Sequence, residues 1–459
     1  MFFNDEDTII APATPVGGAL CIIRLSGSRA IEMCDEIFRG RRALRDATTA
    51  TVHYGNIVDG EEVVDDVLVS LFRTPNSYTG EDLVEISTHG SRYVVERIVS
   101  LFTQRGVRMA YAGEFTRRAF VAGKMDLSQA EAVADIIAAE SRASHTVAST
   151  QMRGAYSEEL GALRDKLLHI TSLLELELDF SEEDVEFADR SQLEMLLQQT
   201  FDRATSLADS FALGNALKTG VNVAIVGRPN VGKSTLLNCL VGEERAMVSD
   251  IAGTTRDTIE ATCNISGVVF RFVDTAGLHS TEDVLERMGI ERTSEALRKA
   301  HIILWLTDDA STMLCDDVQG YKPTVEQTVY KVITKIDLTD RSAVDNNTEE
   351  PNDDIADTIY LSAKTGEGID TLLNTLQSRF DAQTAYRGDV VVSSRRHYDA
   401  LSSATDSLQS ALNALHNGLP TDLLSEDIRQ VLYHLGTITG EITSEDVLQN
   451  IFSRFCVGK

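Results

Sequence analysis

The chain has 459 residues, 43% of them apolar and 25% charged, and a formal net charge of −29. That length exceeds what one hydrophobic core supports, so roughly two to four domains are expected, and the acidic balance excludes a generally basic nucleic-acid-binding surface. No apolar run approaches the roughly 18 residues of a membrane span, and the start MFFNDEDT lacks a basic segment followed by an apolar one, so no membrane span and a cytoplasmic location are expected.

The first 120 or so residues read as mixed strand and helix. TIIAPAT, ALCIIRLSG and LVEISTHG are short apolar runs closed by Gly, Pro or Ser signals. From about residue 127 the period becomes helical, with Ser128 and Glu131 spaced as a capping box, and it continues with interruptions to about residue 205. Strand-like runs then recur at VNVAIVG, VVFRFVDT, HIILWLTD, TVYKVIT and TIYLSA, an alternation that predicts a mainly parallel α/β sheet. The acidic stretch 340–357 reads as an exposed loop. From about residue 394 Leu401, Ala404, Leu408, Leu412 and Leu415 mark one helix face. Helices on both sides of the α/β region predict an insertion, the two flanks packing together. The six cysteines (Cys21, Cys34, Cys239, Cys263, Cys315, Cys456) show no metal spacing and read as reduced thiols.

GRPNVGKST (227–235) follows a strand and precedes the apolar-periodic LLNCLVG. Such a loop curls so that the amides around Asn230, Val231 and Gly232 face phosphates, while Lys233 reaches the β and γ groups. Ser234 is the expected Mg²⁺ ligand, with Thr235 beside it. Three further motifs follow in order. DTAG comprises Asp274, an Mg²⁺ ligand through water, then Thr275, Ala276 and Gly277, whose amide senses the γ-phosphate. TKID supplies Thr334, Lys335 and Asp337, and the Asp337 carboxylate matches the N1 and N2 donors of guanine, which adenine lacks. Ser362, Ala363 and Lys364 offer amides to the base oxygen. The four motifs together read as a GTPase; a phosphate-binding relic without hydrolysis is the bland alternative.

Two departures stand out. Thr334 occupies the usual asparagine position, which predicts loss of the amide that ties the base motif to the phosphate loop. Leu278 follows DTAG, where Ras-like enzymes carry a water-orienting glutamine, and an aliphatic side chain cannot orient water. The loop SDIAGTTRD (Ser249, Asp250, Ile251, Ala252, Gly253, Thr254, Thr255) contains Thr255 as a second Mg²⁺ ligand. Asn230, carbonyls of this loop and phosphate oxygens form an oxygen-only set suited to a monovalent cation. Such a cation replaces an arginine finger, whose charge is worth on the order of 10³ to 10⁵ in rate. Ordinary loop capping is the other reading of Asn230.

With GRPNVGKST, DIAGTTRD, DTAGL, ERMGIER, PNSYTGEDLVEISTHG, GEFTRRAFVAGKMDLSQAEAVADII and the terminal FCVGK on view, the chain resembles the MnmE (TrmE) family of tRNA modification GTPases over essentially its full length. The resemblance implies an α/β and α+β multidomain protein: a folate-binding α+β N-terminal domain (1–120), a discontinuous helical domain (121–216 and 381–459) and an inserted Ras-like P-loop GTPase domain (217–380). It implies GTP, Mg²⁺, K⁺ and a tetrahydrofolate derivative (5-formyl- or methylene-tetrahydrofolate) as cofactors. The implied partners are a second copy, an MnmG-like FAD protein in a heterotetramer, and tRNA. The implied reaction adds a carboxymethylaminomethyl or aminomethyl group at C5 of the wobble uridine, U34.

Carried over residue by residue, the resemblance places K⁺ on Asn230, Ser249, Ile251 and Thr254. It makes Glu286 the catalytic glutamate, acting on the attacking water through a bridging water; read alone, Glu286 is a solvated helix charge. Folate contacts fall on Arg24, Glu85, Lys124 and Lys459, each otherwise a surface charge. The glycine loop in TPVGGALCIIRLSG is shorter than the family's usual stretch. Chain termini normally fray, yet this one carries Phe452, Phe455, Cys456 and Lys459. A docked tail with Cys456 as a functional thiol is expected, against a buried structural cysteine at a helix end. Competing readings are a ribosome-assembly switch, which needs a basic RNA module, and a folate-binding scaffold. Arg105, Arg108, Arg117, Arg118 and Lys124 form one candidate basic cluster for RNA.

Overall fold

Period-two patterns build the first sheet and near-continuous apolar runs build the second, and both are drawn here from a computed structural model. The structure describes residues 7–179, 190–242, 260–274, 295–308, 321–324, 327–338, 356–380 and 390–459. Strands β1 (Ile9–Pro12) and β2 (Leu20–Ser26) open the chain, followed by helix α1 (Ala30–Ile37) and strands β3 (Phe38–Gly40), β4 (Thr51–Asp59), β5 (Glu62–Phe72) and β6 (Leu83–His89). Next come α2 (Arg92–Thr103), β7 (Arg108–Met109) and α3 (Glu114–Val121). Helices α4 (Leu127–Ala138), α5 (Arg142–Met152), α6 (Ala155–Asp179), α7 (Arg190–Asp209) and α8 (Phe211–Thr219) form the middle. They lead to β8 (Val221–Val226), α9 (Lys233–Gly242), β9 (Glu260–Ile265), β10 (Val268–Asp274), β11 (Ile302–Thr307), β12 (Thr328–Ile333), β13 (Asp357–Tyr360) and α10 (Ile369–Arg379). Helices α11 (Arg395–His416), α12 (Thr421–Thr439) and α13 (Glu445–Phe452) close the chain.

The chain divides into two compact units: Met1–Ala134 with Met152–Arg164 and Leu432–Lys459, and Asp135–Gln151 with Asp165–Val431. In the first, seven strands run in the order β3-β4-β5-β6-β2-β1-β7, antiparallel except for β1 beside β7. Alternation sends Ile23, Leu25, Val69 and Ile86 inward against Ile31, Val95, Ile98 and Phe102. The other face carries Val52, Tyr54 and Leu68, all exposed, with Arg24 opposite Glu85. The outer positions of β4 and β5 mix Asn56, Asp66 and Ser70 with Val52, Tyr54 and Leu68, so neither strand shows a clean alternation.

In the second unit six strands run β13-β12-β11-β8-β10-β9, parallel except for β9 on the edge. Apolar side chains cover both faces: Val223, Ile225, Leu304 and Val332 on one, Ala224, Val226, Ile303 and Trp305 on the other. Two-sided burial explains the continuous runs of β8, β11 and β12. The flanks close on each other as an insertion requires. The Ser210 hydroxyl accepts the Val392 amide at 3.0 Å, and Phe211 stacks on Tyr398 with centroids 4.7 Å apart. Along α11 the buried face is His397, Leu401, Ala404, Leu408, Ala411 and Leu412, with Leu415 only half-buried.

One cap differs from expectation. Ser128 and Glu131 do not form the capping box, because α4 begins before Ser128. Asp126 accepts the Gln129 amide at 2.9 Å, and Gln129 Oε1 accepts the Asp126 amide at 2.9 Å. The box has the same chemistry, shifted two residues earlier. The acidic stretch 340–357 lies outside the described residues except Ala356 and Asp357, and Asp357 begins β13.

Candidate functional site: a phosphate loop joined to a base motif, and a docked tail

At the end of β8 the chain must turn against β11. A Cβ on Gly227 would sit 2.2 Å from the Leu306 carbonyl oxygen, so only glycine fits. Asn230 adopts a left-handed backbone, φ 63°, at the loop's turn. Lys233 starts α9 and is buried, its ammonium donating to the carbonyls of Gly227 at 2.6 Å and Arg228 at 2.9 Å. Val231 is buried, Gly232 is half-buried, and Ser234 and Thr235 are exposed on the first turn of α9. A helix start beside a cation, with open space over Gly232, suits a phosphate chain. Asp274 ends β10 in register with Ile225 of β8, which places its backbone one strand from this loop. The Ser234 hydroxyl, on the first turn of α9, is a hard oxygen donor of the kind Mg²⁺ takes.

The base motif follows β12. Thr334 is buried, and its hydroxyl donates to the Val231 carbonyl at 2.7 Å while its amide donates to Thr307 O at 2.8 Å. The expected loss of the tie to the phosphate loop is therefore corrected: a hydroxyl on a short side chain makes it. Lys335, with φ 58°, pairs with Asp308 at 2.8 Å. Asp337 is exposed in a short 3-10 turn and accepts the Ser362 hydroxyl at 2.7 Å. The Ser362 amide donates to Glu367 O at 2.9 Å, which fixes the serine; Ala363 is half-buried and Lys364 exposed. Residues Ser249, Asp250, Ile251, Ala252, Gly253, Thr254, Thr255, Thr275, Ala276, Gly277 and Glu286 lie outside the described residues. Of the residues expected to hold K⁺ only Asn230 is described, and its side-chain amide offers an oxygen donor. Asp308 was not singled out by motif reasoning, because its link to Lys335 crosses from one strand end to another.

In the other unit the tail folds back onto the first sheet. Arg24 donates from Nε and Nη2 to Glu85 Oε1 at 2.9 and 2.7 Å, and from Nη1 to Gly458 O at 3.1 Å. Its guanidinium lies 5.3 Å from the Tyr78 ring centroid and 5.6 Å from that of Phe115, the geometry of cation–π contacts. Neither ring was picked out from the sequence; the motif SYTGEDLVEISTHG, which holds Tyr78, was the available signal. Val457 bridges Ala112, and Phe452 and Phe455 are buried among Leu127, Ala130, Val133 and Leu448. Lys459 is half-buried beside Gly458, and Lys124 bonds Pro75 O at 2.7 Å on the loop that carries Tyr78. Carboxylate, guanidinium, ammonium and two ring faces match the donors, acids and flat ring system of a folate. Cys456 is exposed past the end of α13, so the buried structural reading does not hold.

The basic cluster is also corrected. Arg118 is 2% exposed and pairs with Asp7, Glu81 and Glu114, while Arg108 pairs with Asp7 and Glu114. Arg117 is buried, and Arg105 lies 3.7 Å from Glu36. Buried charges need partners, and here acids neutralise them. Burial pushes the Asp7 carboxyl up, but hydrogen bonds and charge from Arg108 and Arg118 outweigh it and hold the group below its usual value. No described helix is long and apolar enough to cross a membrane.

Comparison with known proteins covers the whole chain. A family model described as the MnmE helical domain matches residues 127–456, and one described as GTP-binding protein TrmE N-terminus matches residues 8–124. The tRNA modification GTPase MnmE of Bacteroides fragilis is 47% identical over 467 residues, covering 99% of this chain and 100% of that protein. The protein of the same name from Flavobacterium johnsoniae is 46% identical over 464 residues, with 99% and 100% covered. Among solved structures, the G domain of the T. maritima FeoB iron transporter aligns at 24% identity with a TM-score of 0.24, over 34% of this chain and 97% of that one.

Proposed function

The chain belongs to the MnmE family of tRNA modification GTPases, and from that premise we propose that it hydrolyses GTP to drive modification of C5 of the wobble uridine, U34, in certain tRNAs. The group added is carboxymethylaminomethyl or aminomethyl. The protein acts in the cytoplasm as a homodimer with an MnmG-like FAD partner, and a tetrahydrofolate derivative supplies the one-carbon unit. One observation carries the nucleotide half of this reading: Asp337, held by Ser362, belongs to a motif bonded directly to the phosphate loop of Lys233.

Within that reading Lys233 and the loop amides bind the β and γ phosphates, and Asp337 selects guanine because its carboxylate is left unmatched against adenine. Ser234, Thr255 and Asp274 would hold Mg²⁺, and Asn230, Ser249, Ile251 and Thr254 would hold K⁺. When bound, the two cations supply positive charge where the transferring phosphoryl group becomes more negative. Glu286 orients the attacking water through a second water, a task that Leu278 cannot perform. At the other site Arg24, Lys124 and Lys459 pair folate carboxylates, Glu85 accepts from the pterin amino group, and the exposed Cys456 thiol meets the one-carbon unit. The exposed row Val52, Tyr54 and Leu68 favours pairing with a second copy.

The test is mass spectrometry of wobble nucleosides from cells lacking the gene, complemented with the unmodified protein or with Lys233→Ala. Loss of the C5 group, restored only by the unmodified protein, is expected. An unchanged nucleoside profile in the deletion strain would overturn the proposal.

A further inference from the structure

The first unit carries a basic surface that none of the motifs uses. The chain has 42 lysines and arginines against 71 acids, yet residues 39–45 hold four arginines (Arg39, Arg41, Arg42 and Arg45) and no acid. They run from β3, an edge strand of the first sheet, into the turn after it, and all four are exposed. The turn is fixed from below. Leu44 is fully buried, and its amide donates to Asp35 Oδ1 on α1 at 2.5 Å. Arg73, just past β5, donates to the carbonyls of Arg45 at 2.7 Å and Ala47 at 3.0 Å. Arg39 likewise donates to the carbonyls of Glu36 at 2.9 Å and Phe38 at 3.0 Å. A carbonyl orients a guanidinium without cancelling its charge. Among the described residues Arg45 alone of these five meets a carboxylate, Asp35 at 2.6 Å. Arg108 and Arg118 are the opposite case, held among acids. A charged edge strand also discourages strand addition. That task needs a charge on β3 itself, and Arg41, Arg42 and Arg45 lie beyond its last residue, Gly40.

We propose that residues 39–45, with Arg73 beside them, form a docking surface for the phosphate backbone of tRNA. This rests on the reading of the chain as a tRNA-modifying enzyme. Phosphate binding needs exposed cations whose charge is not spent on acids, and each such contact releases counterions. Planar guanidinium groups suit bidentate phosphate contacts. Contacts of this kind position an RNA and do not read its sequence, so this surface serves any tRNA. With a net charge of −29 the chain as a whole repels RNA, and the basic edge is where RNA is drawn in.

The experiment titrates the full-length protein with a transcribed tRNA by fluorescence anisotropy over a range of salt. Thermal midpoint, self-association and GTPase rate are measured alongside. Arg39→Gln, Arg41→Gln and Arg42→Gln combined should flatten the slope of log affinity against log salt by about two to three. Between 50 and 200 mM salt the unmodified protein should then lose about 20- to 40-fold more affinity than this variant. Lysine at the same three positions keeps the charge and should hold the slope within about half a unit. Arg429→Gln removes an exposed arginine already paired with Glu175 and should leave the slope unchanged. GTPase rate and thermal midpoint should match in all four proteins. An unchanged slope in the glutamine protein overturns the proposal. So does weakened self-association with tRNA affinity intact, which assigns the edge to a second copy. A chain that modifies wobble uridine in cells but shows no salt-dependent tRNA binding also overturns it, and leaves the proposed function standing. If instead the deletion strain keeps its nucleoside profile while the glutamine protein loses slope, the function fails and the RNA surface stands.

Discussion

The guanidinium of Arg24 donates to the carbonyl oxygen of Gly458 at 3.1 Å, joining the second strand to the penultimate residue across 434 positions of sequence. Its other two donors hold Glu85, the residue opposite it on β6. Gly458 has φ 101°, and a Cβ there would sit 2.3 Å from Pro12 O. The tail is thus seated in a groove that admits only glycine. Two changes probe it. Arg24→Lys loses the planar fork, and Gly458→Ala must lift the tail at a strain of about 1–3 kcal/mol. Both should weaken binding of 5-formyl-tetrahydrofolate about tenfold or more, read by isothermal titration. Unchanged affinity in both proteins would remove the folate assignment from this junction.

Hydrolysis should depend on potassium. The Asn230 amide stands on the left-handed turn of the phosphate loop, and Leu278 replaces a water-orienting glutamine. Replacing K⁺ by Na⁺ at equal ionic strength should slow steady-state turnover by on the order of a hundredfold, the scale of one lost transition-state charge contact. Equal rates in the two salts would exclude the cation site.

Glu286→Ala should leave GTP affinity within about threefold and slow hydrolysis on the order of 10² to 10⁴, as for loss of general base assistance. Stopped-flow binding with single-turnover hydrolysis separates the two effects. Normal turnover would take Glu286 out of the mechanism.

Cys456→Ser should abolish tRNA modification while the GTPase rate is unchanged. Because Cys456 is exposed, its thermal stability should shift by less than about 0.5 kcal/mol. A serine hydroxyl is a poor nucleophile at neutral pH, so a chemical role fails with it. Full modification by the serine protein would show the thiol to be dispensable.

The Asp7 cluster predicts an acid limb of stability. Folding lowers the Asp7 pKa below its ordinary 3.8, so its contribution is fully present above that pH and is lost as pH falls through the lower folded value. The thermal midpoint of Asp7→Asn should trail that of the unmodified protein above about pH 4, and the gap should close on acidification toward pH 2. A gap that persists undiminished at the lowest pH would mean that Asp7 ionisation is not what stabilises the cluster.

What could be read from the sequence follows the range of the physics involved. The phosphate loop is a local motif, since its glycines and Lys233 act within a few residues of one another. The strands β8, β11 and β12 are legible because burial on both faces demands unbroken apolar runs, whereas β4, β5 and β9 sit at edges or face solvent and carry mixed patterns. Ser128 and Asp126 are both good helix caps, and only the packed start of α4 chooses between them. Tertiary structure alone decides the partners of long-range polar groups. The Thr334 hydroxyl reaches the phosphate loop because β11, β12 and β8 bring the Val231 carbonyl within 2.7 Å, a distance no motif encodes. Arg108 and Arg118 look basic in one dimension and are neutralised in three, because burying a charge forces an acid beside it.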